Sequence, residues 1–102
     1  MDETLYRASR LLRVLANPLT YQMVTLLRQG PMRPSLLAER LSRPRASITR
    51  LGREMKLTDI ISFRSGGAGE GRCFVEYALK DRAIEPILCA AEAYVRRMDL
   101  GN

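Results

Sequence analysis

Residues 36–57 read LLAERLSRPRASITRLGREMKL, and the spacing of their apolar side chains decides the fold. Leu36, Leu37 and Leu41 make one helical stripe, and Ile48, Leu51 and Met55, at i, i+3 and i+7, make a second. Ser42, Arg43 and Pro44 lie between them. Proline has no backbone N–H and a fixed φ, so it suits the first turn of a helix and disrupts the interior, while Ser42 offers a side-chain oxygen as a cap. The spacing therefore predicts a second helix over 44–56. Two short helices joined by a tight turn are the signature of a helix-turn-helix, whose second helix enters the major groove of DNA.

With Ile48, Leu51 and Met55 turned inward, helical geometry places Arg45, Ala46, Ser47, Thr49, Arg50 and Arg53 wholly or partly outward. Arg43 stands beside them in the turn. Guanidinium forks and short hydroxyls match guanine edges and phosphate oxygens. On an isolated helix such arginines are more often simply solvated, so the flanking segments decide the reading.

Residues 3–16 carry Leu5, Ala8, Leu12 and Leu15 at helical spacing, and Leu11 and Val14 widen the stripe enough for two packing partners. Asn17 is a good N-cap and Pro18 fits a first turn, so a second helix covers 19–29, with Met23, Leu26 and Leu27 inward. Gln29-Gly30-Pro31 ends it, and Pro34 starts the third helix. After the reader helix, 60–64 and 72–79 are β-branched and aromatic runs around a glycine-rich tip at 65–71, which reads as a hairpin over 60–79. The tip has no lysine–hydroxyl pair and opens no helix, so it is not a phosphate-binding loop. Set between Arg64 and Arg72, it suits a wing that lies along a DNA backbone or enters a minor groove.

From Asp81 onward, Ile84, Ile87, Leu88, Ala91, Tyr94, Val95 and Met98 repeat at near-helical spacing over about 83–98, with Pro86 in the first turn. Arg96 and Arg97 sit at the helix end that favours cations. Such a helix either closes its own core or packs on a twin. Its outer stripe, including Ile87, Leu88, Ala91, Tyr94, Val95 and Met98, is expected at a dimer interface with Leu5 and Leu12 beside it.

The 102 residues suit one small domain, 1–102, near the size where burying surface in a second subunit helps. Seventeen Lys and Arg against 11 Asp and Glu leave a formal charge of +6, which favours nucleic acid or an anionic surface as the large partner. No apolar run approaches the roughly 20 residues needed to cross a bilayer. The start, MDETLYRASR, lacks the apolar core of a signal peptide, so a cytoplasmic protein without a membrane partner is expected. Histidine is absent and Cys73 and Cys89 are far apart, which offers neither a disulfide framework nor a common zinc cage. No serine, cysteine or carboxylate set has a catalytic spacing, so neither an enzyme nor a cofactor is expected.

The order helix, helix, helix, reader helix, two-stranded wing, helix, with LANPLTYQMVTLL (15–27), LLAERLSRPRASITRL (36–51) and GRCFVEYAL (71–79), resembles the ArsR/SmtB family of bacterial repressors over nearly the whole chain. LANP opening the second helix and Tyr77-Ala78-Leu79 closing the wing are the more specific landmarks. The resemblance implies a mostly α winged helix-turn-helix and a homodimer built from the first and last helices. It further implies two reader helices on a short inverted repeat in promoter DNA, with affinity set by an effector. By position, Arg45, Ser47, Thr49 and Arg50 fall where the family reads bases, and Arg53, Arg64 and Arg72 where it meets phosphates.

This chain also departs from the family. Arg33-Pro34-Ser35 stands in place of the metal-binding cysteine pair, and the last helix offers Asp81, Glu85 and Glu92 without the histidines of the alternative site. The expected signal is therefore not a metal. Some members use a cysteine pair, so Cys73 and Cys89 are either a redox or persulfide switch or hydrophobic filler. Gly52 replaces a usual leucine, Asp59 a glycine that leads into the wing, and Thr20 a frequent basic residue. The alternative is a winged-helix module that docks a protein, and the arginines at 45–53 favour DNA over it.

Overall fold

The computed structural model describes residues 2–66 and 74–100. Its elements are α1 (Glu3–Leu15), α2 (Pro18–Leu27), α3 (Pro34–Leu41), α4 (Arg45–Leu57), β1 (Ile61–Gly66), β2 (Phe74–Leu79) and α5 (Ile84–Leu100). The chain is thus a mostly helical winged helix-turn-helix, with the element order read from the sequence. Arg72, Cys73 and most of the glycine-rich tip lie outside the described residues.

Local chemistry sets the helix starts. The Asp2 carboxylate accepts the Thr4 N–H at 2.6 Å, and the Asn17 side chain accepts the N–H groups of Leu19 and Thr20 at 2.9 and 3.4 Å. The turn between α3 and α4 differs from expectation, because Ser42 does not cap α4. It ends α3 in the left-handed region, φ 52° and ψ 49°, and Pro44 is the N-cap of α4 without a side-chain capping bond. The reason is the reversal of the chain. A left-handed residue lets the N–H groups of Ser42 and Arg43 turn back onto the carbonyls of Glu39 and Ala38, at 3.3 and 3.0 Å.

One apolar cluster holds the array together, with Met23, Val24, Leu27, Leu37, Ile48 and Met55 almost fully buried. Each large side chain buried in this way contributes roughly 1.5–3 kcal/mol relative to exposure. Leu88 requires a correction, since it was expected at the dimer face but is 1% exposed inside its own core. With Ile84 one turn earlier on the same helix face, it seals the domain, whereas Ile87, Tyr94, Val95 and Met98 stay exposed. α1 divides similarly, Leu15 being buried while Leu5 and Leu12 are exposed.

β1 and β2 pair antiparallel from Ile61↔Leu79 to Gly66↔Phe74. Met32 and Tyr77 exchange backbone hydrogen bonds of 3.0 and 2.8 Å, which clips β2 to the segment leading into α3.

Candidate nucleic-acid interface

α4 presents two unlike faces. Ile48, Leu51 and Met55 are buried, while Arg45, Ala46, Arg50 and Arg53 are exposed and Ser47 and Thr49 half-buried. Arg43 is exposed in the turn before the helix, and Arg64 is exposed on β1 opposite Glu76. No acidic side chain among the described residues forms an ion pair with any of these five arginines. Their guanidinium donors are therefore open to an anionic ligand. The Thr49 hydroxyl donates to the Ala46 carbonyl at 3.1 Å, which leaves its lone pairs as the outward function.

The glycine inside α4 has a physical cause. A Cβ at Gly52 would stand 2.6 Å from Cε2 and from the hydroxyl oxygen of Tyr77, and 2.7 Å from its Cζ. The Tyr77 ring stacks on Phe63 with centroids 4.9 Å apart, and Lys56 Nζ lies 4.4 Å from the Phe63 centroid. Burial pushes the Tyr77 phenol up, with Arg53 and Arg45 pulling it back, so it is neutral at ordinary pH. Tyr77 and Lys56 thus join α4 to the two strands, a contact that the spacing of apolar residues does not disclose. The available signal was a helical glycine followed by a strand carrying a large aromatic.

Asp59 occupies the left-handed region at φ 62°, where glycine is usual and aspartate is tolerated. Its carboxylate binds Lys80 at 2.7 Å and Arg7 at 3.6 Å, tying the wing root to α1. The hydrogen bond from Lys80, followed by its charge, holds the carboxyl below the usual range. Thr20 is fully buried, and its hydroxyl has no hydrogen-bond partner among the described residues.

α5 is fastened differently. The Tyr21 hydroxyl and Arg28 Nη2 both donate to Glu92 Oε2, the latter at 3.1 Å. The Tyr21 bond first, and then Arg28, keep the Glu92 carboxyl low, while burial first raises the Tyr21 phenol. Beside this cluster runs an apolar groove of about 460 Å³ between α1, α2 and α5, lined by Leu12, Leu15, Tyr21, Ile87 and Ala91 among others. Leu5, Leu12, Ile87, Tyr94 and Val95, expected at one face, are all exposed. Cys89 is exposed on α5. Among the described residues no three His, Cys, Asp or Glu side chains gather, and no helix is long and apolar enough to cross a membrane.

No protein-family model matches the sequence, and no curated protein matches it. Solved structures do. The chain is similar to the homodimeric winged helix-turn-helix DNA-binding domain of Mb0332 from Mycobacterium bovis, a possible ArsR-family transcriptional regulator. That match has 15% identity and a TM-score of 0.81, over 100% of this chain and 94% of that one. HlyU from Vibrio cholerae N16961 matches at 17% identity and a TM-score of 0.74, over 92% and 97% of the two chains. The cadmium metal-sensor CmtR from Mycobacterium tuberculosis matches at 27% identity and 0.64, over 80% of each.

Proposed function

We propose that this chain, which shares the winged-helix fold of ArsR-family transcriptional regulators, is itself a sequence-specific DNA-binding regulator. It acts as a dimeric repressor on an inverted repeat in promoter DNA, in the cytoplasm, and its signal is not a metal. The observation that carries this reading is the outward face of α4, where Arg45, Arg50 and Arg53 have no acidic partner among the described residues and flank Ser47 and Thr49.

Arg45, Ser47, Thr49 and Arg50 read base edges, with Ala46 lying close to them. Arg43, Arg53, Arg64 and Arg72 meet phosphates and fix the register. Dimerisation uses Leu5 and Leu12 of α1 with Ile87, Ala91, Tyr94, Val95 and Met98 of α5. The two reader helices are then placed about one helical turn of DNA apart. The reading of a non-metal signal is supported by Arg33, Pro34 and Ser35 at the start of α3, none of which is a soft metal ligand.

The test is selection of random-sequence duplex DNA by the purified protein at near-physiological salt, with and without reductant. An enriched inverted repeat supports the reading. Absence of any motif under both conditions overturns it in favour of a protein-docking module. A motif that appears only with reductant makes the cysteines part of the signal.

A further inference from the structure

We infer that Tyr77, seated in the gap left by Gly52, is a positioning residue for DNA recognition that sets the angle between the wing and the reader helix. The inference rests on the DNA-reading role proposed for α4.

Glycine is unfavourable inside a helix, so its place in the middle of α4 calls for a compensating contact. Tyr77 makes that contact: its ring and hydroxyl occupy the space that any side chain at position 52 would fill. Tyr77 has little room to retreat. It is 3% exposed, its backbone is bonded in both directions to Met32, and its ring lies on Phe63 at an interplanar angle of 16°.

Phe63 and Tyr77 are direct partners in the register of the hairpin. On α4, Gly52 and Lys56 are one turn apart on one face, and they meet Tyr77 and Phe63 respectively. An aromatic pair from the two wing strands therefore lies along a single turn of the reader helix. Arg53 follows Gly52 and Arg64 follows Phe63 in the chain, so a phosphate-directed arginine adjoins each side of this contact. A change in the thickness of the contact tilts the wing against α4. A displacement of an ångström at such a joint matters, because base-edge hydrogen bonds tolerate little error in distance.

Selection first defines the motif of the native chain. Affinities for that duplex and for a scrambled one are then measured for Gly52→Ala, Tyr77→Leu and the double variant, at two salt concentrations. Each single variant is expected to reduce the specific-to-nonspecific ratio at least tenfold, with nonspecific affinity and its salt slope unchanged. The double variant, whose added methyl fills space vacated by the ring, recovers at least a third of the lost ratio on a logarithmic scale. Folded single variants with the native ratio overturn the inference, as does a double variant no better than the worse single one.

If Gly52→Ala does not fold, Phe63→Leu carries the same expectation, since it removes the ring beneath Tyr77 without adding volume. A native chain that selects no motif overturns the DNA reading instead. The joint is then read on the free protein, where Gly52→Ala should move the amide resonances of β1 and β2 and leave those of α1 in place. Unmoved strands overturn the coupling.

Discussion

α4 and α5 share an apolar periodicity and differ in what covers it. The 13 residues of α4 bury Ile48, Leu51, Gly52 and Met55 against the rest of the chain, and their outer face is mostly polar, with Leu57 exposed at its end. The 17 residues of α5 bury only Ile84 and Leu88, and Ile87, Tyr94, Val95 and Met98 remain 40–62% exposed. An apolar stripe states that a face leaves water, without stating what removes it. For α4 the cover is its own domain. For α5 beyond Leu88 the exposed apolar side is the reason we propose a second copy there.

Truncating one side chain on each helix should give the largest contrast between them. Leu51→Ala should destabilise the fold by about 2–5 kcal/mol, because the cavity lies where neighbours cannot collapse. Tyr94→Ala in a protein diluted to monomer should change stability by no more than about 0.5 kcal/mol. Urea midpoints decide, and similar losses at both positions would remove the distinction between the helices.

Next in size is the proposed interface. Val95→Asp should weaken self-association at least about a hundredfold, or roughly 2.7 kcal/mol, while the monomer stays folded. Sedimentation against concentration measures it, and an unchanged dimer would place the contact elsewhere.

The outer face of α4 gives the third prediction. Arg50→Ala should cost about 1–3 kcal/mol on the selected duplex and relax the sequence preference, whereas Arg64→Ala should weaken all sequences alike and lower the salt slope by about one. Equal, sequence-blind losses would contradict a base-reading role for Arg50.

The smallest effect concerns the fastening of α5. Because Tyr21 and Arg28 hold the folded Glu92 carboxyl below its usual range, this fastening contributes fully above the ordinary Glu value of about 4.3 and fades as pH falls through the lower folded value. Thermal melting across pH 3–6, a window of about three units around that value, should show a shallower acid limb for Glu92→Gln than for the native chain. Identical limbs would mean that the tether plays no part in stability.

Much of the reader motif was legible beforehand. Ile48, Leu51 and Met55 repeat on one face, and Pro44 forbids a continuous helix, so the inward and outward sides of α4 followed from neighbours along the chain. Ser42 was misread because serine suits either side of a helix boundary, and only the direction of the turn selects the left-handed end of α3. Leu88 was misplaced because Ile84, Ile87, Leu88 and Ala91 are nearly equivalent in a periodic pattern. Which of them faces inward depends on where the first turns of α5 land against the domain.

The number and order of the helices, the hairpin, the basic outer face of α4 and the surplus of apolar surface on α5 are written in short stretches of the chain. These follow from spacing, proline geometry and charge, which act over a few residues. That Gly52 makes room for Tyr77, that Asp59 joins Lys80 and Arg7, and that Glu92 answers Tyr21 and Arg28 emerges once the chain is folded. Those partners are distant along the chain, and no local preference selects among the many side chains that could have met there.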